Sequence, residues 1–205
     1  AGTVATSTGA LTIGDGTSPI SLTAATTLSA ANNNNITIGG TVNGNETLTL
    51  NSGGTTSIDG VIGGTTPINT LTTDAGGTTS INANISTSST QTYNDAVDIE
   101  GDTRTLTSNG GAIFFDGTVD SLSTTRRSLV VNAGSGLTTF DALVGGTNAM
   151  GAISITGSGG LDLNAAVTNA TSLAVTGATD LGGNVTTTGL QTYTDAVTLS
   201  DAART

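Results

Sequence analysis

The sequence predicts an all-β fold, a β-solenoid of about ten turns of roughly 20 residues each. Three observations predict it. A short strand phrase recurs along the whole chain. Its spacing stays near one value. The apolar content suits a thin, regular core rather than a thick one.

The phrase is a Leu-x-apolar strand, then a polar residue, then glycines. In chain order it begins weakly, as "ALTIGDG" from Ala10 and "TLSAANN" from Thr27. It is clear in "TLTLNSGG" from Thr47 and "TLTTDAGG" from Thr70. A variant, "QTYNDAV", follows from Gln91, and "TLTSNGG" from Thr105 is again weak. "SLVVNAGSG" from Ser128, "AISITGSGG" from Ala152 and "SLAVTGATD" from Ser172 restore the pattern, and "QTYTDAV" from Gln191 closes it. Most of these starts lie about 20 residues apart, a period that marks a repeat architecture.

The columns of this alignment carry the physical reading. Second positions are Leu11, Leu28, Leu48, Leu71, Leu106, Leu129, Ile153 and Leu173. Fourth positions include Ile13, Leu50, Val131, Ile155 and Val175. Residues two apart on a strand share a face, so the two columns predict one continuous inward stripe. Fifth positions, such as Asn51, Asp74 and Asn132, are residues that bond turn backbones. Leu, Ile, Val and Phe number 45 of 205, enough for a few core residues per turn.

A larger repeat lies above the small one, with units of approximately 27–104 and 105–204 in a single continuous solenoid spanning 1–205. Residues 35–44 match 112–121 at an offset of 77, and 57–65 match 139–147 at 82. Gln91, Tyr93, Asp95, Ala96 and Val97 recur as Gln191, Tyr193, Asp195, Ala196 and Val197, an offset of 100, and Arg104 recurs as Arg204. The first growth, of 5, coincides with the insert "SLSTTRR", which reads as an exposed loop. The second, of 18, is about one small unit and suggests interchangeable coils. The Gln-Thr-Tyr phrase reads as punctuation at an unusually short turn, because the next phrase already begins at Thr105. A one-residue register slip would move both tyrosines to the other face. A unit of about 20 residues is too short for a helical hairpin repeat or a propeller blade, and dense Thr, Gly, Asn and Ser disfavour helix.

Charge narrows the functions. Four Arg and no Lys face fifteen carboxylates, for a net charge of −11, so nucleic acid and anionic membrane surfaces are not expected partners. No apolar run approaches the roughly 20 residues of a membrane helix, so membrane insertion is not expected. With no His, Cys or Lys, Ser-His-Asp, Cys-His and Ser-Lys catalysis and His/Cys zinc sites are excluded.

Carboxylates remain. Asp95, Asp98, Glu100 and Asp102 form the densest group, and Asp98, Glu100 and Asp102 are weak calcium candidates, since oxygen-only ligands suit that ion. A solvated acidic edge is the simpler account. No catalytic residue and no cofactor site is assigned. Arg126 and Arg127, in the inserted loop, are a possible subunit contact. Five Asn-x-Ser/Thr sequons occur, at Asn35, Asn45, Asn84, Asn169 and Asn184, about as many as this composition produces by chance. Threonine doublets raise ice binding, which needs Thr-x-Thr at one place on successive turns, and the variable step argues against such a face.

The phrases "TLTTDAGGTTSINANISTSSTQTYNDAV" and "LAVTGATDLGGNVTTTGLQTYTDAVTL" resemble the repeat arrays of filamentous-haemagglutinin-like and autotransporter-like bacterial secreted proteins. The resemblance implies a right-handed parallel β-helix, export to the cell surface, and a role as adhesin, stalk or filament. It transfers no functional residue. Neither end shows a recognisable cap, so the expectation is a segment of a longer array or a filament subunit that self-associates head to tail. A host or cell-surface glycan or protein is a possible partner. The expected function is structural and adhesive, without catalysis. An ice-binding solenoid and a polysaccharide-acting β-helix enzyme are the alternatives.

Overall fold

The computed structural model describes residues 1–200. Arg204 and the last positions of the second large repeat lie outside the described residues. All regular elements described are β-strands, and every pairing between them is parallel. The strands stack into three sides around a common core, which makes the fold a parallel β-solenoid.

The first side holds ten strands, from Gly2–Thr6 to Val197–Leu199. The second runs from Leu11–Ile13 to Val119–Ser121 and continues through the bridges Val119↔Val144 and Val144↔Val167 to Val185. The third runs from Ile20 through Val42, Ile62, Ile85, Leu106, Val131, Ile155 and Val175 to Tyr193. Its inward column is almost wholly aliphatic. That is the efficient use of sparse apolar residues that the composition demanded.

Register partners on the first side mark nine turns, from Gly2 to Val197, about 22 residues each. Among the shortest is the step from Leu161 to Thr179, and the longest is the step from Ile113 to Thr138. The long turn contains the inserted loop, whose residues 122–126 are exposed. Turn length therefore varies in the corners, while the sides keep their register.

The structure corrects two sequence expectations. The single stripe of second-position residues is three stripes. Leu11 lies on the second side, Leu28, Leu48 and Leu71 on the first, and Leu106, Leu129, Ile153 and Leu173 on the third. Every one of them is buried, because all three sides obey the same inward alternation. The phrase could not reveal which side it occupied. For the same reason the step from Gln91 to Thr105 is not a short turn. Gln91 is on the first side and Thr105 on the third, so the step covers two sides only. The full turn runs from Gln91 to its register partner Ile113 and is of ordinary length.

The large repeat follows this rule. Ile36–Ile38, on the second side, matches Ile113–Phe115 on the first. Gln91–Tyr93, on the first side, matches Gln191–Tyr193 on the third. Each copy sits one side back around the rod from its original. The second growth in the offset equals one whole turn of the kind between Leu161 and Thr179.

Candidate functional site

Three places combine polar chemistry with defined geometry: an interior bracket around Tyr93, the outward face of the first side, and the acidic groups near the inserted loop.

The bracket answers why both tyrosines share one phrase. Tyr93 is fully buried and donates to Gln91 Oε1 at 2.9 Å. Gln91 Nε2 donates to Thr87 Oγ1 at 3.2 Å and to the Thr107 carbonyl of the next turn at 2.8 Å. In the second copy Tyr193 donates to Gln191 Oε1 at 3.2 Å, and Gln191 Nε2 to Thr187 Oγ1 at 3.3 Å. The phrase is a self-satisfying polar unit that fits an inward column on either side of the solenoid. Burial, then the nearby Asp95 charge, pushes the Tyr93 phenol far above its ordinary range, so it stays a neutral donor. Its ring opens an aromatic stack. Tyr93 and Phe115 lie 5.2 Å apart, and Phe115 and Phe140 4.8 Å apart, with nearly parallel planes. This stack was not legible in the small repeat, because "AIFF" and "TTF" do not fit its phrase. Alternation within the strand could have shown it.

On the first side the outward positions form rows. Thr3, Thr27, Thr49, Thr72 and Thr92 occupy one row on five successive turns, which ends at Phe114. Beside it stand Thr47, Thr70 and Thr90, and the Thr70 hydroxyl bonds that of Thr47 at 3.0 Å. Thr47-x-Thr49, Thr70-x-Thr72 and Thr90-x-Thr92 thus align on three turns. The expectation that variable turn length would prevent such a face is overturned, because the variation sits in the corners.

The acidic candidates do not gather. Asp98 projects outward from the second side beside its register partner Asp120, and desolvation, then Asp120 and Glu100, raise its carboxyl. Asp120 Oδ1 is occupied by the backbone N–H groups of Thr147 and Asn148 at 2.9 and 3.1 Å. Asp102 turns outward and pairs with Arg127 at 3.1 Å. Among the described residues no three acidic groups form a set that could hold a metal ion, so Asp98, Glu100 and Asp102 do not make a calcium cage. Asp162 and Asp180 are register partners and line a shallow depression of about 290 Å³.

Arg126 and Arg127 are engaged within the chain. Arg126 donates to the Met150 carbonyl and to Asn169 Oδ1, each at 2.8 Å. With the Arg127–Asp102 pair, the loop is tied to the turns on both sides of it. Four of the five sequon asparagines have a structural use: Asn169 accepts from Arg126, Asn45 Oδ1 accepts the Ser88 hydroxyl at 3.3 Å, and Asn35 and Asn84 cap the amides of Thr55 and Thr105, on the next turn, at 2.9 and 3.0 Å.

No family model, curated protein or solved structure matches the chain.

Proposed function

We propose that this chain forms a stretch of a stiff extracellular β-solenoid rod, part of an adhesin-type cell-surface fibre, stalk or filament. The observation that carries the reading is the unbroken parallel ladder of the first side across ten strands. A ladder of this kind resists bending because each turn is bonded to the next along its whole length. Nine steps of about 4.8 Å make a rod of roughly 43 Å. Val185–Thr187, Gln191–Tyr193 and Val197–Leu199 each have a strand neighbour on one side only among the described residues. The rod continues through these edges by the same parallel pairing, head to tail. Loops in the corners are where a glycan or protein partner would be met. The resemblance to secreted repeat arrays supports the surface location.

Electron microscopy with sedimentation velocity tests this reading. Thin fibres of uniform width, lengthening with concentration, are expected. Compact globules, or a monodisperse particle much shorter than the rod, would count against it.

A second reading is favoured by the aligned Thr-x-Thr pairs. Their hydroxyls and methyls repeat about 4.8 Å between turns and about 6.7 Å along the strand, a spacing on which water can order as ice. Thermal hysteresis that disappears in Thr49→Lys and Thr72→Lys would support it, and its absence in the unaltered chain would end it.

A further inference from the structure

Among the described residues two acids are buried, Asp95 and Asp120, and Asp95 has no counter-charge. Asp95 points inward at the corner between the first and second sides and is 4% exposed. Its Oδ1 accepts the hydroxyls of Thr73 and Thr79, both at 2.9 Å, and Thr79 also reaches Oδ2 at 3.0 Å. Both threonines are buried and belong to the preceding turn, one on each side of the corner. One carboxyl therefore fastens two sides of one turn to the next. Thr73 is held in place from the same corner, since the Asn94 amide N–H donates to its hydroxyl at 3.3 Å. From above, Gly117 closes on the Asp95 backbone so tightly that an added Cβ would lie 2.2 Å from its carbonyl oxygen.

The groups around this corner cannot neutralise a charge. Asp74 lies below, Asp116 on the turn above, and Asp98 on the strand Ala96–Ile99 that follows the corner, and all are acids. The Tyr93 hydroxyl is bonded to Gln91. The described arginines bond elsewhere: Arg104 to Asn82, Arg126 to Met150 and Asn169, Arg127 to Asp102. Asp195, the counterpart in the second phrase, is exposed.

We propose that this corner is a proton-operated joint, closed while Asp95 is neutral and loosened when Asp95 releases its proton to solvent. The neutral acid donates its O–H to a threonine oxygen and accepts the other hydroxyl, so every polar atom is satisfied without a buried charge. Burial pushes the Asp95 carboxyl up to about 6, and the two threonine hydroxyls offset only part of that rise. In an opened corner the group would titrate near its ordinary value of 3.8. Because the closed-state value is the higher one, the closed form is fully favoured below about pH 4 and loses that advantage as pH rises through about 6. The gap corresponds to opening about 100-fold more frequent above pH 7 than near pH 3, with about tenfold of that change between pH 5 and 7.5.

Amide hydrogen exchange on the intact chain, corrected for the intrinsic pH dependence of exchange, tests the joint. Amides of 73–74 and 94–97 are expected to open about tenfold more at pH 7.5 than at pH 5. Asp95→Asn is expected to abolish this dependence, while Asp195→Asn leaves it intact. An unchanged pH response in Asp95→Asn, or none in the original chain, overturns the proposal. Should Asp95→Asn fail to fold, carbon NMR titration of the unaltered Asp95 carboxyl decides: a midpoint near 6 sustains the joint and one near 4 removes it.

Discussion

Phe114 and Phe115 are neighbours on one strand with opposite surroundings, which makes a controlled test of how the rod is held together. Phe115 is fully buried and stacked on both faces, by Tyr93 at 5.2 Å and Phe140 at 4.8 Å. Phe114 faces outward and is half-buried. Truncating a buried Phe to Ala typically costs about 3–5 kcal/mol through lost transfer energy and the cavity left behind. Each aromatic stack adds about 0.5–1.5 kcal/mol. With two stacks, Phe115→Ala should therefore cost about 4–8 kcal/mol, a large share of the roughly 5–15 kcal/mol typical of a domain. Phe114→Ala should cost less than about 1 kcal/mol. Urea unfolding followed by circular dichroism measures both. In a solenoid the loss is felt first by the turns in contact, so hydrogen exchange should show 91–93 and 138–140 weakening before the ends of the rod. A loss under about 2 kcal/mol for Phe115→Ala, or equal losses for both variants, would refute the stack as a principal tie between these turns.

Other outcomes follow from the register. Deleting 161–178, one whole turn, sets Thr179 against Thr138 and Val185 against Val144, so the shortened chain should keep its β spectrum, whereas deleting 161–169 should abolish cooperative unfolding. Gly159→Ala would put a Cβ 1.8 Å from the Gly136 carbonyl oxygen and should lower stability by about 3 kcal/mol, read as a shifted urea midpoint. Arg126→Ala should speed amide exchange in 122–127 while moving the global midpoint by less than about 1 kcal/mol, since the side chain is exposed.

Much of the fold was legible because a parallel solenoid writes its inward alternation directly into the chain. Leu48, Leu50, Leu129, Val131, Ile153 and Ile155 were recognisable as core from spacing alone, and all are buried. What spacing could not convey was which side a phrase occupies, because all three sides bury the same kinds of residue. That ambiguity turned nine turns into about ten and made the phrase at Gln91 look like a short turn. The threonine rows were hidden for a related reason: alignment across turns depends on corner lengths, and Thr49, Thr72 and Thr92 come into line only when each corner is measured separately. Asp95 was noticed as part of an acidic group, but its inward direction follows from the corner between two strands, which a single repeated phrase does not encode.

The displacement of each large repeat by one side has a consequence for what such a rod displays. A loop copied along with its segment does not return in line with the original. It emerges a third of the way around the circumference, as Gln191–Tyr193 does relative to Gln91–Tyr93. Duplication in this register winds its decorations around the shaft like a spiral stair. A filament extended in this way would meet its surroundings from every direction, where one grown by whole turns would present a single edge.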